Sequence, residues 1–596
     1  MNFKLRLVAL LLLTMIMLSS CSLSLETIVQ QIPFLEGVLG AQTTPNEPEG
    51  TTPTTPTETE PTVKPATLFD PETFDKKDYS TSRAELVAKY TLTQEEIDAT
   101  LALLDSMVIG AMPDPEGDPN VPVMTIEEWD ALYIQFEDSF YHIAQQMKIA
   151  TIIYYCNMSD EVAKERYLNS MDMFYDIQDK YNESLRELYI NSPMKDELFE
   201  GWSDEEIQSM LEYDPVIMEI KKAIDEFETQ FDALDDSASS FTDESVEIFK
   251  QLVLKRQEFA RYYKYDNYYQ YASEISYLRD YSTEDLKVFR DYVIQYVVPA
   301  WDGIYSTFMG YRDLSTKRQE TFLEFIQNRF DKTSKNYLLL YLNSLEGTMG
   351  ESMRDVFESK NCVFSNNSNS HPTAFCTYLY EDDKPFCLFG SNGQEANTIV
   401  HEIGHYYAFL VNKDLDNLDI CETHSQGNEF LFLKFCEGQM NAAVYECVRA
   451  YNLVSTCYTM MLATIVDEFE QTVYSLDDET IANMTSEDFD AIITEICEPY
   501  GGAKWVSDNL YDPYMYWRLV TSTSPVYYIS YAVSAAAAIE IYALAETDID
   551  AAYVAYTTLV EGVTAEDGFI NALKKAGIYT PFEEEAFEKI AETLKR

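Results

Sequence analysis

The sequence predicts a mainly α-helical fold with one small β-hairpin, and three observations support this fold class. Apolar residues recur at three- and four-residue steps along most of the chain, which is the spacing of amphipathic helices. Few stretches alternate with the two-residue period of strands. Of the 596 residues, 46% are hydrophobic and 14% are aromatic. A chain of this size and composition can bury a large core.

The helical spacing is clearest in residues 126–155, where Trp129 and Phe136 belong to one apolar stripe. Ser203 and Thr242 each precede acidic residues, a pattern typical of the start of a helix. Further helices are predicted at 242–263, 283–311, 317–330 and 334–346.

Residues 375–389 show the clearest alternation, on both sides of an acidic turn, and predict a β-hairpin. Cys376 and Cys387 flank this turn and can pair, although the sequence does not decide whether they do. The chain has ten cysteines without a CxxC pair or dense spacing, which argues against a disulfide-stabilised scaffold.

The N-terminus has the layout of a secretory signal peptide. Lys4 and Arg6 precede an apolar run, residues 7–18, which is too short to span a bilayer. Small residues then lead directly to Cys21, as in the lipobox of bacterial lipoproteins, where the cysteine receives the lipid. The alternative is an ordinary signal peptide in which Cys21 is incidental. Residues 41–66 are rich in Thr, Pro and Glu and predict a disordered, extended tether.

These N-terminal features predict a protein outside the cytoplasm, anchored to the bacterial cell membrane through a lipid on Cys21. The formal net charge of −60 excludes nucleic acid as a partner, because phosphate contacts need a basic surface. The acidity favours solubility, and a preference for cationic substrates is the weaker interpretation.

The segment His401-Glu402-Ile403-Gly404-His405 predicts a catalytic zinc site. On a helix, His401 and His405 lie one turn apart on one face, so both imidazoles can bind one ion. Glu402 is offset by one position and can instead act on a water molecule at the open coordination position. The alternative is an exposed face with two solvated histidines. The flanking residues are strongly apolar, so the helix is expected to be buried, where unpartnered imidazoles and carboxylates are costly.

A third ligand is expected on the element that follows, and spacing alone leaves two candidates. Glu422 and Glu429 are seven positions apart and share one helical face. His424 points nearly opposite to Glu422 and is not expected to bind the same ion. Glu422 also has a purely structural alternative, because Asp419 and Glu422 have the spacing of a capping box.

The zinc motif and the stretch from Glu422 to Leu431 resemble the oligoendopeptidase F and thimet oligopeptidase family of zinc metallopeptidases. In that family the first glutamate of such a stretch is the third zinc ligand. The resemblance therefore implies that Glu422 binds one zinc ion together with His401 and His405. It also implies that Glu429 contacts and orients a zinc ligand. For His424 we expect a structural role, with a substrate-side role as the alternative.

The resemblance extends over about residues 250–545, including a tyrosine segment near the C-terminus. By this comparison Tyr528 and Tyr531 occupy the positions of tyrosines that face the scissile carbonyl, where a phenol can stabilise the oxyanion. The alternative is core packing, since the chain has 44 tyrosines. A histidine expected shortly before this segment has no counterpart in residues 519–524.

Together these features predict a two-lobed helical metallopeptidase with the hairpin beside the active-site helix. The expected segments are a signal peptide (1–20), a lipidated cysteine and tether (21–66), a helical N-terminal lobe (67–330) and a zinc-bearing catalytic lobe (331–596). The expected activity is zinc-dependent endopeptidase cleavage of peptides or oligopeptides outside the cytoplasmic membrane. A zinc carboxypeptidase of related fold and an inactive peptide-binding lipoprotein are the alternatives. The hairpin either offers an edge strand to an extended peptide or only braces the active-site helix.

Overall fold

The computed structural model describes residues 69–113, 123–202, 215–232, 240–413, 417–501 and 525–596, with isolated positions between them. The predicted signal peptide, Cys21, the tether and the helix start at Ser203 lie outside the described residues. In the described part the chain is mostly helical, with one three-stranded sheet. The predicted fold class is confirmed.

Helices occur before the sheet in each described segment where periodicity predicts one, although the helix predicted at 317–330 ends at Ile326 and the one predicted at 283–311 is divided by a π-helical turn (Val293–Val297). They are α1 (Arg83–Lys89), α2 (Gln94–Gly110), α3 (Ile126–Tyr155), α4 (Glu161–Asn191), α5 (Lys195–Leu198), α6 (Pro215–Asp232), α7 (Phe241–Tyr262), α8 (Tyr268–Tyr271), α9 (Thr283–Tyr292), α10 (Val298–Met309), α11 (Thr316–Ile326), α12 (Lys332–Ser344) and α13 (Gly347–Glu358). The helix α3 has the bounds that its apolar stripe predicts, because Thr125 and Glu128 form a capping box at its start. The predicted start at Thr242 is late, since α7 begins at the buried Phe241.

The second half of the chain contains the sheet and the helices that carry the predicted site. They are β1 (Cys362–Phe364), β2 (Ala374–Leu379), β3 (Lys384–Phe389), α14 (Ala396–Val411), α15 (Leu418–Glu437), α16 (Ala442–Tyr474), α17 (Asp478–Asn483), α18 (Ser486–Cys497), α19 (Ile529–Thr547), α20 (Ile549–Glu561), α21 (Phe569–Ala576) and α22 (Glu584–Lys595).

The predicted hairpin is the antiparallel pair β2–β3, and β1 joins it in parallel to give the strand order β1-β3-β2. Sequence reasoning missed β1, because three residues are too few to show a period of two. The sheet packs against α14, and the Cys387 thiol donates to the Glu402 carbonyl at 3.8 Å. The sheet therefore braces α14, while β2 forms an edge of the sheet.

Two large apolar cores divide the described chain. One lies among α2, α3 and α4 and includes Trp129 and Phe174. The other extends from Phe69 to Leu594 and includes helices from both sides of position 330. A smaller cluster joins the end of α3 to the sheet through residues such as Ile152 and Phe375. The N-terminal helices thus dock on the sheet that supports α14, and the lobe boundary at residue 330 stays a prediction.

The helix α19 is apolar on all sides. By length and composition it would suffice to cross a membrane, but most of it is buried within the protein. A helix without a polar face is typical of the centre of a large core. It packs against α15 and α16 and so supports the helix that carries Glu422.

Candidate active site

The histidines of the zinc motif lie on one buried face of α14. The Nε2 atoms of His401 and His405 are 3.2 Å apart. His401 is 4% exposed and Glu402 is fully buried at 0%. The predicted alternative, an exposed face with solvated histidines, is therefore wrong: the apolar flanks bury this helix between the sheet and α15.

Glu422 meets these histidines from α15. Its Oε2 atom lies 3.6 Å from His401 Nε2 and 3.9 Å from His405 Nε2. The capping-box alternative for Glu422 is wrong, because the N-cap is Asn417, whose side chain accepts from the N–H of Ile420. Glu422 therefore lies in the second turn of α15, where its carboxylate is free to face the histidines.

The three donor atoms fit a zinc ion. They all lie within 4.8 Å of one another. Ligand distances of about 2.0–2.2 Å in a tetrahedral site place donor atoms about 3.3–3.6 Å apart, close to the separations of 3.2, 3.6 and 3.9 Å here. Two imidazole nitrogens and a carboxylate oxygen also form a donor set typical of catalytic zinc.

The electrostatics of the pocket favour a cation. Burial lowers the pKa of His401, but Glu429, Glu402 and Glu422 outweigh burial and raise the pKa to about 9. In contrast, burial and the neighbouring His401 hold the pKa of His405 well below its usual range. The carboxylates around His401 thus favour a positive charge at this position. His405 stays neutral, which is the state in which an imidazole can bind a metal.

The close approach of α14 and α15 depends on Gly404. A Cβ atom there would lie 2.9 Å from Ser425 Cα and 3.0 Å from the His424 carbonyl oxygen. Nearby, the Asn428 side chain donates to the Val400 carbonyl at 2.7 Å and ties the two helices together. The glycine between the two motif histidines therefore allows α15 to bring Glu422 to them.

Glu429, the other candidate ligand, contacts His401 on the Nδ1 side of the ring. Its Oε1 atom is 2.8 Å from Nδ1 of His401, the ring nitrogen that faces away from His405 and Glu422. A carboxylate in this position fixes the ring orientation and leaves Nε2 available for a metal. The structure thus separates the two glutamates that spacing alone could not distinguish.

His424 points away from the three donors. Its Nε2 atom lies 3.0 Å from the Leu559 carbonyl oxygen in α20, and the side chain is fully buried. Burial lowers the pKa of His424 to about 4. His424 is therefore a neutral histidine that donates a hydrogen bond to α20. It does not join His401, His405 and Glu422 as a metal ligand.

The tyrosine segment lies beside Glu422, and its closest member is one that sequence reasoning missed. The Tyr527 hydroxyl donates to Glu422 Oε1 at 3.1 Å and also lies 3.0 Å from the Tyr531 hydroxyl. Tyr528 is buried next to both rings, with centroids 6.1 and 6.2 Å away. The resemblance selects Tyr528 and Tyr531 but not Tyr527, although Tyr527 lies four residues before Tyr531, a spacing that also puts two side chains on one helical face.

Comparison with solved structures identifies the fold. An X-ray structure assigned as an oligoendopeptidase F aligns with 85% of this chain and 98% of its own, at a TM-score of 0.62 and 17% identity. An oligoendopeptidase F structure from Bacillus anthracis aligns with 87% of this chain and 96% of its own, at a TM-score of 0.58 and 16% identity. The chain has the oligoendopeptidase F fold.

PZ peptidase A, solved with an inhibitor, is also similar in fold to this chain. It aligns with 87% of this chain and 98% of its own, at a TM-score of 0.58 and 17% identity. No protein-family model matches the sequence, and no curated protein matches it. The resemblance drawn from the zinc motif and the Glu422 segment is therefore confirmed at the level of the oligoendopeptidase F fold.

Proposed function

We propose that this protein is a zinc endopeptidase that cleaves peptides or oligopeptides. The convergence of His401, His405 and Glu422 on one point, with Glu402 buried beside them, carries this proposal. When bound, zinc supplies a Lewis acid that lowers the pKa of water and polarises the carbonyl of the scissile bond. His401, His405 and Glu422 hold the ion, and Glu429 orients the His401 ring.

Glu402 is the proposed general base. It is adjacent to His401 on α14, and its charge raises the pKa of both His401 and Tyr531, so its carboxylate interacts with a proposed ligand and with a proposed oxyanion donor. There it accepts a proton from the attacking water and passes it to the leaving amine. A positioned carboxylate of this kind contributes about 10²–10⁴-fold to the rate.

The tyrosines are the proposed donors to the developing oxyanion. Burial, followed by the charge of Glu422, raises the pKa of Tyr531 well above its usual range. Tyr531 therefore keeps its proton and can donate it in a hydrogen bond. Tyr528 is proposed for the same role from the start of α19. Tyr527 instead contacts Glu422 directly and holds this carboxylate in place.

Endopeptidase activity is favoured over the alternatives because solved structures with this fold are named oligoendopeptidases, and one of them is a peptidase bound to an inhibitor. A zinc carboxypeptidase would use the same donor group. An inactive peptide-binding lipoprotein predicts the loss of a ligand or of the general base, whereas the chain retains His401, Glu402, His405 and Glu422.

We also propose that the protein works outside the cytoplasm, with Cys21 lipidated and residues 41–66 as a spacer from the membrane. The support is the signal-like sequence before Cys21. Mass spectrometry of the membrane fraction tests this: a diacylglyceryl or triacyl modification on an N-terminal Cys21 is expected. An intact N-terminus without lipid would contradict it.

The activity test uses the full chain, purified in mild detergent. Elemental analysis is expected to find one zinc per chain. Internally quenched peptides are expected to be cleaved at internal bonds, and a chelator should abolish this cleavage. Release of single C-terminal residues would instead support the carboxypeptidase.

Glu402→Gln should keep the zinc and lower kcat by about 10²–10⁴-fold. Bound zinc without cleavage of any peptide in a diverse pool would support the binding protein.

A further inference from the structure

A strained residue leads into the tyrosine segment. Val526 has a φ of +68° and is 1% exposed. The left-handed region is strongly disfavoured for a β-branched residue, because the side chain clashes with the neighbouring backbone. Such a conformation persists only where surrounding contacts impose it. The contacts around Val526 therefore indicate what holds this part of the site.

Two buried polar side chains, one acidic and one basic, hold the backbone of Val526 at its N–H and its carbonyl. Its N–H donates to Glu470 Oε1 at 2.8 Å, and its carbonyl accepts from Arg279 Nη2 at 2.7 Å. The preceding residue is held as well, since the Tyr277 hydroxyl donates to the Pro525 carbonyl at 2.9 Å. Glu470 is 2% exposed and Arg279 is 7% exposed. Burial raises the pKa of Glu470 to about 8, so the charge-assisted hydrogen bond, the stronger kind, is the one from Arg279.

The contacts at Val526 also affect the position of Glu422, one of the three proposed zinc ligands. Tyr527 follows Val526, and its hydroxyl donates to Glu422 Oε1 at 3.1 Å. Arg279 Nη2 also donates to Ser530 Oγ at 3.1 Å, in the first turn of α19 and next to Tyr531. The direction in which Tyr527 leaves the backbone is set by the dihedral angles at Val526. A relaxed Val526 would turn the phenol away from Glu422.

We propose that Arg279 and Glu470 are positioning residues that fix Val526 in the left-handed conformation and so set the Tyr527 hydroxyl against Glu422. The inference rests on the proposed function, because it assigns these residues a role in preparing the site for zinc and peptide. They act through Val526 and Tyr527 and touch neither substrate nor metal. The hydrogen bonds from Arg279 and to Glu470 offset the strain at Val526.

The test uses variants of the full chain. Glu470→Leu removes the acceptor of the Val526 N–H. Glu540→Leu is the matched control, because Glu540 is a buried carboxylate that accepts the N–H of Tyr579 at 3.1 Å, away from the donor group. Val526→Gly places a residue that adopts positive φ without strain. Tyr527→Phe removes the hydroxyl through which the positioning is transmitted.

Glu470→Leu is expected to lower kcat by about 10–100-fold with little change in KM, as displaced active-site groups do. Zinc affinity, from competition with a chromophoric chelator, should fall by up to about 10-fold, because Glu422 loses its orienting contact. Glu540→Leu should lower the melting temperature and leave kcat and zinc affinity unchanged. Adding Val526→Gly to Glu470→Leu should restore kcat to within about 3-fold of Val526→Gly alone.

The positioning role is overturned if Glu470→Leu keeps the wild-type kcat and zinc affinity, or if Val526→Gly restores neither. It is also overturned if Glu470→Leu and Tyr527→Phe lower kcat independently, since residues acting through one contact are not additive. If Glu470→Leu does not fold, Arg279→Lys replaces it. A lysine keeps the charge but not the planar guanidinium, whose Nη2 donates to Val526 and Ser530 while Nη1 donates to Ser273.

A measurement on metal-free protein separates this inference from the proposed function. Amide hydrogen exchange across residues 526–531 should accelerate in Glu470→Leu and stay unchanged in Glu540→Leu. Unchanged exchange in both variants would refute the positioning role of Arg279 and Glu470, even if the wild-type enzyme is active. A wild-type chain that binds no zinc and cleaves no peptide would refute the proposed function, whatever the exchange result.

Discussion

Gly404→Ala tests the close helix contact that creates the site. The added Cβ would lie 2.9 Å from Ser425 Cα and 3.0 Å from the His424 carbonyl oxygen, where ordinary contacts are 3.4–4 Å. These neighbours are backbone atoms, so α14 and α15 must separate by about 0.5–1 Å. The Glu422 carboxylate then moves away from the His401 and His405 rings, which it already approaches at 3.6 and 3.9 Å.

The expected effect falls on metal binding more than on stability. Overpacking costs about 1–3 kcal/mol, and alanine offsets about 1 kcal/mol of this because it favours the helix more than glycine does. The metal-free protein should therefore lose about 0–2 kcal/mol of unfolding free energy. Zinc affinity should fall by about 10–100-fold. Competition titration with a chromophoric chelator measures this change, and denaturant unfolding measures stability.

Gly303→Ala is the matched control, because Gly303 lies within α10 and a Cβ there meets nothing within 4 Å. It should raise the unfolding free energy by about 0.5–1 kcal/mol and leave zinc affinity unchanged. Wild-type zinc affinity in Gly404→Ala would refute the argument that α14 and α15 need this glycine to assemble the donor group.

The remaining predictions concern three other polar side chains, at Glu429, Asn428 and His371. Glu429→Gln should weaken zinc binding by about 10–100-fold, measured by chelator competition, because it removes the charge that orients His401; wild-type affinity would contradict this. Asn428→Leu should lower the unfolding free energy by about 1–3 kcal/mol, because it leaves the Val400 carbonyl without its donor; unchanged denaturant unfolding would contradict this. Burial lowers the pKa of His371 from 6.5 to about 4, so the unfolded chain takes up its proton first and stability falls as the pH drops from about 6.5 to 4. Replacing His371 by Gln should remove about 2–3 kcal/mol of this decline, measured by denaturant unfolding across that range, and an unchanged slope would refute the assignment.

The sequence alone predicts those features of the fold that depend on residues close together in the chain. The apolar stripe predicts α3 to the residue, and the capping box at Thr125 is the structural reason for its start. The four-residue spacing of His401 and His405 predicts that they share one face of α14. Both predictions depend on contacts within a few turns of one helix, which periodicity records directly.

The choice between Glu422 and Glu429 could not be made from spacing. Both lie on one face of α15, and only the packing of α15 on α14 decides which glutamate faces Nε2 and which faces Nδ1 of His401. That packing depends on a helix start at Asn417 and on the space beside Gly404, which are features of tertiary structure.

Tyr527 was missed for a related reason. The resemblance selects Tyr528 and Tyr531, whereas the contact of Tyr527 with Glu422 depends on the left-handed Val526 that precedes it. No periodic pattern reports such a conformation, which contacts from Arg279 and Glu470 impose across about 250 and 60 residues of sequence. The short strand β1 was likewise invisible, because its partner β3 lies some 20 residues away.

The most direct test of the central claim is anomalous diffraction at the zinc edge from crystals of the full chain. The account predicts one zinc peak about 2.0–2.2 Å from Nε2 of His401, Nε2 of His405 and a carboxylate oxygen of Glu422. A zinc-supplemented crystal with no peak among these three residues, or with Glu429 in place of Glu422 at the ion, would contradict it.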